Sequence, residues 1–526
     1  MKEHIGKSNR LLLILLSLLF VPGIWWGLPS EFTPAIDSPV PHSPLAFVAD
    51  YTNPDIAQKY PATHQVLLLP FYGATLLVLK LLGIWKSVSS TWPYGFQYPS
   101  AVFSALIIEA RMISLVMSVG ILLCVLLIGP DSLDDGGKLL SIGLLAGSGV
   151  FVYYARVGNF DIPYVFWWFL SFVFIWRYVF QASSATRNLI LSAVFSAISI
   201  GTKDQAAGLV LASALTVLGV RTEAHRGWAE RMRHAALFSA VLLAVYAIVA
   251  ILPQPLRWLH HVKLYMPSSP SITEFTSYEN TLSGHLGLLS ATLSCLSNIL
   301  SPPGMIFSVL GAVYFLRTRR YRETVVLILP FLTYYWMIIF NIRFVHERFM
   351  LPVALLSAIF AGTGMISFLR YLKQRSLKAH FFGKAGIAAV LCYQFVSGYL
   401  PVTYVQAFDM KRQLAGSIPE FAPKGSKVLW VGGTTGLPNA NVYEKYGLVL
   451  PQGQLPPSRS VAHVFKPYAS GVGYVLSGKP IDYKSEEYSL LNDWRTPDLI
   501  KDMIHVPCVT EYYLYKRNSL LKGELH

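Results

Sequence analysis

Apolar runs alternate with short polar segments over the first 400 residues, and this alternation dominates the pattern of the chain. Runs of about 18–22 apolar residues match the length of a helix that crosses the hydrocarbon core of a bilayer. The pattern therefore predicts about eleven membrane spans. They run near residues 11–28, 112–129, 139–155, 162–180, 188–202, 205–220, 235–252, 303–316, 324–341, 349–369 and 385–401.

Two further apolar segments, about 65–84 and 285–300, do not fit this count. If either one alone were a full span, some strongly basic loops would move to the opposite side of the membrane. Basic loops of integral membrane proteins stay in the cytoplasm. We therefore expect both segments to be helices that lie at the outer surface or dip into it.

The composition agrees with a chain that is exposed to lipid. Hydrophobic residues make up 53% and charged residues 13%, and the mean hydropathy is +0.46. Soluble domains carry about 25% charged residues. The net charge of +15, from 43 basic and 28 acidic side chains, would indicate nucleic acid in a soluble protein. Here it has a simpler source in cytoplasmic Lys and Arg, so no nucleic-acid partner is expected.

The basic loops also predict the orientation. Segments 221–234, 317–323 and 370–384 each hold four or five Lys and Arg, and the N-terminus is basic too. Loop 29–64 contains Lys59 as its one Lys or Arg, so it is expected outside. We predict an integral protein of the bacterial inner membrane with a cytoplasmic N-terminus.

The last 125 residues differ in character from the rest. Residues 402–526 are polar and rich in turn residues, and segments 427–433 and 472–478 read as short strands. The predicted fold is thus an all-α polytopic membrane module, residues 1–401, followed by a small extracytoplasmic α/β domain, periplasmic or extracellular, over 402–526.

Two carboxylates stand at predicted outer turns. Asp37 lies in "FTPAIDSPVP" just after the first span, and Asp161 opens a span in "ARVGNFDIPYVFWW". A carboxylate can accept the proton of a hydroxyl nucleophile. Either residue can instead cap the helix that follows it. Asp50 and Asp55 of the same first loop are fallback candidates for the role of Asp37.

Basic side chains collect at the same face. "NIRFVHERFMLP" carries Arg343, His346 and Arg348, and an arginine fork suits a phosphate group. The alternative is that these residues are ordinary interfacial anchors, with Glu347 pairing to Arg343.

Arg156 and Lys203 are two more cations at the predicted outer face, and each has two possible roles. Arg156 can hold a phosphate or pair with Asp161, and Lys203 of "GTKDQ" can face a lipid phosphate or pair with Asp204. A metal site on the paired histidines His260 and His261 would need an additional ligand.

The order of these segments resembles a known family. "FTPAIDSPVP", "YPATHQVLLLPFY", "EARMISLVMSVGILL", "YARVGNFDIPYVFWWFLSFVF", "GTKDQAAGLVL" and "RFVHERFMLPVALLSAIFAG" follow one another as in polytopic GT-C glycosyltransferases. The glycosyltransferase-39-like group, which includes protein O-mannosyltransferases and lipid A aminoarabinose transferases, is the most similar. The resemblance covers roughly residues 10–400.

The resemblance implies transfer of a sugar from a polyprenyl-phosphate donor to an acceptor hydroxyl of a lipid, polysaccharide or protein at the outer face. It maps the catalytic base or acceptor-orienting acid onto Asp37, a second acid onto Asp161, and binding arginines onto Arg111, Arg343 and Arg348. Many relatives have Asp-Glu at the first site, where this chain has Asp37 and Ser38. No cofactor is implied with certainty, and a divalent metal is left open because relatives differ.

A polytopic transporter or flippase of lipid-linked or small anionic substrates is the alternative. Transporters tend to place charges near the bilayer midplane, between repeated halves of the chain. Here the acids lie at one edge, and the two halves show no similarity. If Asp37, Asp161 and Arg348 share one outward cavity, the enzyme is favoured, whereas a charged path across the bilayer favours transport.

Overall fold

A computed structural model describes most of the predicted membrane module and short pieces beyond it. The described residues are 18–28, 60–85, 99–128, 134–181, 184–220, 227–264, 276–408, 413, 428–431, 474–477, 488–495, 503–504 and 511–517. Asp37, Asp50 and Asp55 lie outside the described residues, so the prediction for the first outer loop stays a prediction.

Helices dominate the described part of the chain. They are α1 Thr63–Leu81, α2 Pro99–Leu127, α3 Asp135–Ala146, α4 Gly149–Arg156, α5 Asp161–Phe180, α6 Ala185–Thr202, α7 Ala206–Gly219, α8 Trp228–Tyr246, α9 Pro255–Leu264, α10 Leu282–Arg317, α11 Tyr321–Tyr334, α12 Leu351–Arg375, α13 Leu377–Gln394 and α14 Leu400–Ala407. A 3₁₀ turn, Glu347–Met350, precedes α12. Wider π-helical segments follow α8, α11 and α13, at Ala247–Ile251, Tyr335–Phe340 and Phe395–Tyr399.

Four strands follow the helices. They are β1 Val428–Val431, β2 Tyr474–Ser477, β3 Tyr488–Arg495 and β4 Glu511–Arg517. The sheet order is β1-β2-β4-β3, with β1 parallel to β2 and the other two pairs antiparallel. Both strands that the sequence predicts, in segments 427–433 and 472–478, are confirmed.

The protein is an integral membrane protein. Within the described ranges eight helices are long and apolar enough to cross a membrane, or nine if the bent pair α3–α4 counts as one span. This number differs from the expected eleven or so. Helix α7, for example, has 14 residues, so it rises about 21 Å and is short for a span of its own.

Several predicted spans have different shapes from those expected. The first, 11–28, is helical at Leu18 within its described part and continues as turns, where Gly23 and Gly27 have positive φ angles of 86° and 60°. The span predicted at 139–155 is bent by 69° between α3 and α4. Ser148 begins the second half, because its hydroxyl accepts the N–H of Phe151.

Segments 285–300 and 303–316, expected as a surface helix and a separate span, are two helical stretches that follow each other across a kink within α10. The helix is interrupted at Ser301, which has φ 59° and ψ 156°. Pro302 and Pro303 follow it, and proline has no N–H to continue the hydrogen-bond ladder. Segment 65–84, also expected at the surface, forms the regular 19-residue helix α1, which is apolar enough to span.

Helix α12 lies at the centre of the bundle. Glycines allow its neighbours to approach closely, since a Cβ on Gly311 of α10 would overlap the backbone of Phe360, and one on Gly362 would overlap the backbone of Gly137 in α3. Such contacts between small residues are a typical helix interface in membranes. Helices α1 and α8 instead leave most of their apolar side chains at least partly exposed, as expected for helices that face lipid.

Residues predicted at the same side of the membrane contact one another. At the end predicted to be cytoplasmic, Arg370 donates to Asp134 at 2.5 Å, and Arg322 donates to the carbonyl of Val179 at 2.9 Å. At the other end, Thr63 donates to the carbonyl of Val249 at 3.0 Å. The candidate residues Asp161 and Lys203 also meet at this second end.

Candidate functional site

The centre of the site is a buried ion pair between Asp161 and Lys203. Asp161 is the first residue of α5, and Lys203 follows the last residue of α6. The Lys203 Nζ lies 2.5 Å from the Asp161 Oδ1, and both side chains are almost completely buried. Among the described residues, Asp161 is the one buried acidic side chain. A charge pair removed from water is stable only when its members remain together.

Three aromatic rings surround the ammonium group of Lys203. Its Nζ lies 5.6 Å from the centre of the Tyr60 ring and 5.3 Å from the rings of Tyr164 and Phe349. The face of an aromatic ring attracts a cation, most strongly where water is excluded. The rings come from three separate parts of the chain, so they fix the position of the ammonium as well as its charge.

The segment between α11 and α12 supplies further charged groups. His346 precedes the 3₁₀ turn, and its Nδ1 accepts the N–H of Arg348 at 3.4 Å. The carboxylate of Glu347 accepts from Asn298 at 3.1 Å and lies 3.5 Å from His346 Nδ1. The guanidinium of Arg348 lies over the ring of Phe349 at 5.2 Å. The ring of Phe349 is therefore close to both cations, Arg348 and Lys203.

Electrostatic interactions link this segment to the ion pair. Burial lowers the pKa of His346, and the positive charges of Arg348 and Lys203 act in the same direction. The carboxylates of Glu347 and Asp161 oppose this shift. His346, which lies just before the α12 span, is therefore neutral near pH 7, and residues from three distant segments act on one another at this end of the bundle.

The structure shows a backbone role for Arg343. Its φ of 53° is in the left-handed region, and its carbonyl accepts the N–H groups of Ser277 and Tyr278 at 3.1 and 3.2 Å. The residue thus connects the turn after α11 to the segment before α10. Its side chain is partly exposed, and binding of a phosphate by it stays a prediction.

Arg156 is fully buried and bound to neutral acceptors. Its guanidinium donates to the carbonyls of Leu19 and Phe20 at 2.6 and 3.3 Å. It also donates to the side chains of Thr403 and Gln406 at 2.9 and 2.8 Å. These bonds join the first described segment to α14. They differ from the expected pairing with Asp161, whose partner is Lys203.

Arg111 is also fully buried. One of its terminal nitrogens donates to the carbonyls of Ile24 and Trp26, both at 2.6 Å. These carbonyls belong to the turns that end the first predicted span, where no helical N–H is available to them. Arg111 thus stabilises the chain that leads toward the first outer loop, and its predicted role in binding substrate is not tested by these bonds.

The local ion pair expected between Lys203 and Asp204 is replaced by two longer-range contacts. Lys203 pairs with Asp161 and not with its neighbour Asp204, whose carboxylate lies 2.9 Å from His261 Nε2. His261 is buried on α9. Within the described ranges there is no group of three or more His, Cys, Asp or Glu side chains that could hold a metal ion.

Sequence reasoning missed the aromatic residues around Lys203 and the role of Asn298. The sequence offers a reason to consider Tyr60, because this residue lies in the "YP" segment on which the resemblance depends. Asn298 is one polar residue in the apolar run "SCLSNILSPP", which is a costly place for an amide unless it has a partner. Tyr164 and Phe349 could not be recognised from the sequence, since aromatic residues are common in these helices.

The sequence matches no protein-family model, and it has no significant match among curated proteins. The structure is similar to a crystal structure of the Archaeoglobus fulgidus oligosaccharyltransferase in complex with Zn and sulfate. The TM-score is 0.48 and the identity 11%, over 88% of this chain and 67% of that one.

It is also similar to ArnT from Cupriavidus metallidurans bound to undecaprenyl phosphate, with a TM-score of 0.44 and 10% identity over 97% of this chain and 98% of that one. The Pmt1-Pmt2 protein O-mannosyltransferase complex of S. cerevisiae, bound to the sugar donor, matches with a TM-score of 0.33 and 14% identity, over 52% of this chain and 36% of that one. At TM-scores below 0.5 these likenesses do not decide what this chain does.

Proposed function

We propose that this protein is a GT-C-like membrane glycosyltransferase that moves a sugar from a polyprenyl-phosphate donor to an acceptor hydroxyl at the outer membrane face. One observation carries the proposal. Asp161 and Lys203 form a buried ion pair at one end of a helix bundle, and the ammonium of Lys203 lies near Phe349, in the distant segment that also carries His346 and Arg348. The ordered motifs of the sequence support the same reaction class.

The chemistry needs positive charge where the phosphate departs. In the proposed reaction the acceptor oxygen forms a bond to the anomeric carbon, and the bond from that carbon to the phosphate oxygen breaks. The lipid phosphate leaves with the electron pair, and the acceptor proton passes to a base. Preorganised cations stabilise such a leaving group without reorganisation. Arg348 and Lys203, which both lie close to the ring of Phe349, are the proposed cations.

Asp37 is the proposed base. Its support is its place in the sequence, shortly after the first span and before the "YP" segment, together with the resemblance. Because the acceptor would displace the phosphate directly, the reaction inverts the configuration of the anomeric carbon. Asp161 already has a buried ammonium partner, so its proposed task is to hold Lys203 in place and not to accept the acceptor proton.

The described residues do not suit a divalent cation at this site. The carboxylate of Asp161 is bound by Lys203, and that of Glu347 by Asn298, with two cationic side chains close by. Binding of a metal ion would need ligands from outside the described residues. We further propose that residues 402–526, which contain the four-stranded sheet, form an extracytoplasmic domain.

The direct test is an assay of the purified protein with a panel of polyprenyl-phosphate sugars, scored for release of the lipid phosphate. Release that depends on an added acceptor supports the proposal. If no donor in the panel is consumed, and liposomes that contain the protein translocate the same lipids, the transporter or flippase is the better description.

Asp37→Ala tests the base. We expect sugar transfer to fall by about 100-fold or more, because general base catalysis typically contributes that much. Asp50→Ala and Asp55→Ala are matched controls from the same loop, and both should retain activity. A fully active and normally expressed Asp37→Ala protein would remove Asp37 from the mechanism, and loss in a control variant instead would transfer the role to that residue.

A further inference from the structure

His64, in the first turn of α1, is a buried histidine whose ring has no hydrogen-bond partner within the described residues. The residue is 1% exposed, and both Nδ1 and Nε2 are buried. Almost all buried polar atoms in folded proteins are hydrogen-bonded, and the exceptions often mark functional sites. An imidazole placed in this way costs stability without contributing a bond, so its presence calls for an explanation.

Aromatic rings link His64 to the surroundings of the ion pair. Its ring meets the ring of Phe160 edge to face, with 5.2 Å between the centres. Phe160 directly precedes Asp161, and its ring is 4.8 Å from that of Tyr60, which lies near the ammonium of Lys203. A chain of ring contacts therefore leads from the first turn of α1 to the ammonium of Lys203.

The same place contains a second polar atom without a partner. The Oδ1 of Asp161 binds Lys203, but its Oδ2 is buried and has no hydrogen bond within the described residues. A carboxylate oxygen that is removed from water and left without a donor is costly. His64 and Asp161, which belong to different segments, thus each have a buried polar atom without a hydrogen-bond partner in the described part of the chain.

The position of His64 is held rigidly by its neighbour. Thr63 donates to the carbonyl of Val249 in the π-helical segment that follows α8. Gly201 of α6 packs so closely on Thr63 that a Cβ there would overlap the threonine hydroxyl. A site that orients a substrate needs its groups fixed before binding, and this packing provides that for the first turn of α1.

We propose that His64 binds a hydroxyl group of the substrates, an inference that rests on the proposed sugar transfer. A neutral imidazole has one N–H donor and one lone pair, and a hydroxyl can use either of them. A phosphodiester group accepts hydrogen bonds only, so it could bind the N–H of the imidazole but not its lone pair. The hydroxyl belongs either to the sugar of the donor or to the acceptor.

The main variant is His64→Phe, with His261→Phe as the matched control. Both histidines are buried, but His261 has a carboxylate partner in Asp204. Replacing His64 removes unpaired polar atoms, so we expect the melting temperature without substrate to rise by about 1–3 °C. Replacing His261 breaks a hydrogen bond, so we expect its melting temperature to fall. A fall in both variants would mean that His64 is a structural residue, which would overturn the proposal.

Turnover is measured with the polyprenyl-phosphate sugar that the wild type consumes. We expect His64→Phe to lower kcat/KM by about 10- to 100-fold, because a substrate hydroxyl loses its partner. His64→Gln, which keeps one donor and one acceptor, should recover part of the loss. It also serves as the second variant if His64→Phe does not fold. Wild-type kcat/KM in His64→Phe, for both donor and acceptor, would contradict the proposal.

Deoxy analogues of the donor sugar distinguish the two sources of the hydroxyl. If His64 binds the donor, one deoxy analogue is a poor substrate for the wild type but no poorer than the parent for His64→Phe. If His64 binds the acceptor, the wild-type and His64→Phe proteins rank the donors alike, and the KM of the acceptor rises. A wild type that consumes no donor would reject the proposed function and the role of His64 with it, whereas an active wild type with an unimpaired His64→Phe rejects the role of His64 alone.

Discussion

Arg156 and Lys203 are both buried cations that the sequence places at the outer face, yet their surroundings differ. The guanidinium of Arg156 donates to four neutral groups on two distant segments. The ammonium of Lys203 has a carboxylate partner in Asp161 and three aromatic rings around it. The first arrangement joins parts of the chain, and the second creates a polarised site.

The difference shows that a buried positive charge does not by itself indicate a phosphate site. Arg156 uses its donors within the fold, so a substrate would have to displace existing bonds. Around Lys203 the pairing is incomplete, because Asp161 Oδ2 and both ring nitrogens of His64 have no partner in the described part of the chain. Incomplete pairing in a rigid, buried place is what a ligand can complete.

The largest expected effect comes from breaking the ion pair. Asp161→Ala should lower the free energy of unfolding by about 3–5 kcal/mol, because it leaves the Lys203 ammonium buried without its partner. The double variant Asp161→Leu with Lys203→Met should recover most of that loss while remaining inactive. Thermal unfolding in detergent measures both. Equal instability of the single and double variants would show that the pair does not act as a unit.

A somewhat smaller loss is expected at Arg156. Arg156→Met removes charge-assisted hydrogen bonds and leaves Thr403 and Gln406 without their donor, at a cost of roughly 2–3 kcal/mol. The KM of the lipid donor should stay unchanged in the folded fraction, since the role is structural. A raised KM with an unchanged melting temperature would reverse the comparison and make Arg156 a substrate-binding residue.

Arg348 should show the opposite behaviour. Arg348→Ala is expected to raise the KM of the lipid donor by about 10-fold or more, the effect of losing a charged hydrogen bond, with little change in melting temperature. The KM of Arg348→Lys should lie between those of the wild type and Arg348→Ala. Arg317→Ala, an exposed residue at the other end of the bundle, is the control and should leave the KM as it is. An unchanged KM in Arg348→Ala counts against a phosphate role.

The smallest effect concerns pH. Because burial lowers the pKa of His346 in the folded state, the unfolded state binds more protons once the pH falls below the ordinary histidine pKa of about 6.5. Stability is therefore expected to decrease as the pH falls from about 6.5 through the folded pKa. His346→Gln should reduce the change in melting temperature between pH 7 and pH 5. His380→Gln controls for loss of an imidazole elsewhere, and an equal slope in His346→Gln and wild type would contradict the assignment.

Element positions followed closely from the apolar pattern. The spans predicted at 162–180 and 188–202 are the helices Asp161–Phe180 and Ala185–Thr202. The bend between α3 and α4 was not predictable, because the glycine and serine at 147 and 148 are compatible with a straight membrane helix. The break between segments 285–300 and 303–316 was predicted at the right place, because Pro302 and Pro303 cannot continue the helical hydrogen-bond ladder, and the structure has a kink at Ser301.

The candidate site was predictable as a set of residues but not as a set of pairs. Asp161, Lys203, His346 and Arg348 were all identified from their places at the ends of apolar runs. Their partners were expected nearby in sequence, as Lys203 with Asp204, whereas the observed pair is 42 residues apart. Tyr60, Phe349 and the unpaired His64 became visible only through their neighbours in space.

The sequence by itself determined where the helices form and that they belong in a membrane. In lipid each backbone N–H and C=O must be bonded within its own segment, so a run of apolar residues has little choice but to be a helix. The tertiary structure alone decided which charged side chains meet, because that depends on how helices pack and where they bend. Lys203 and Arg156 have similar places in the sequence, and only the packing around them separates a site from a structural clamp.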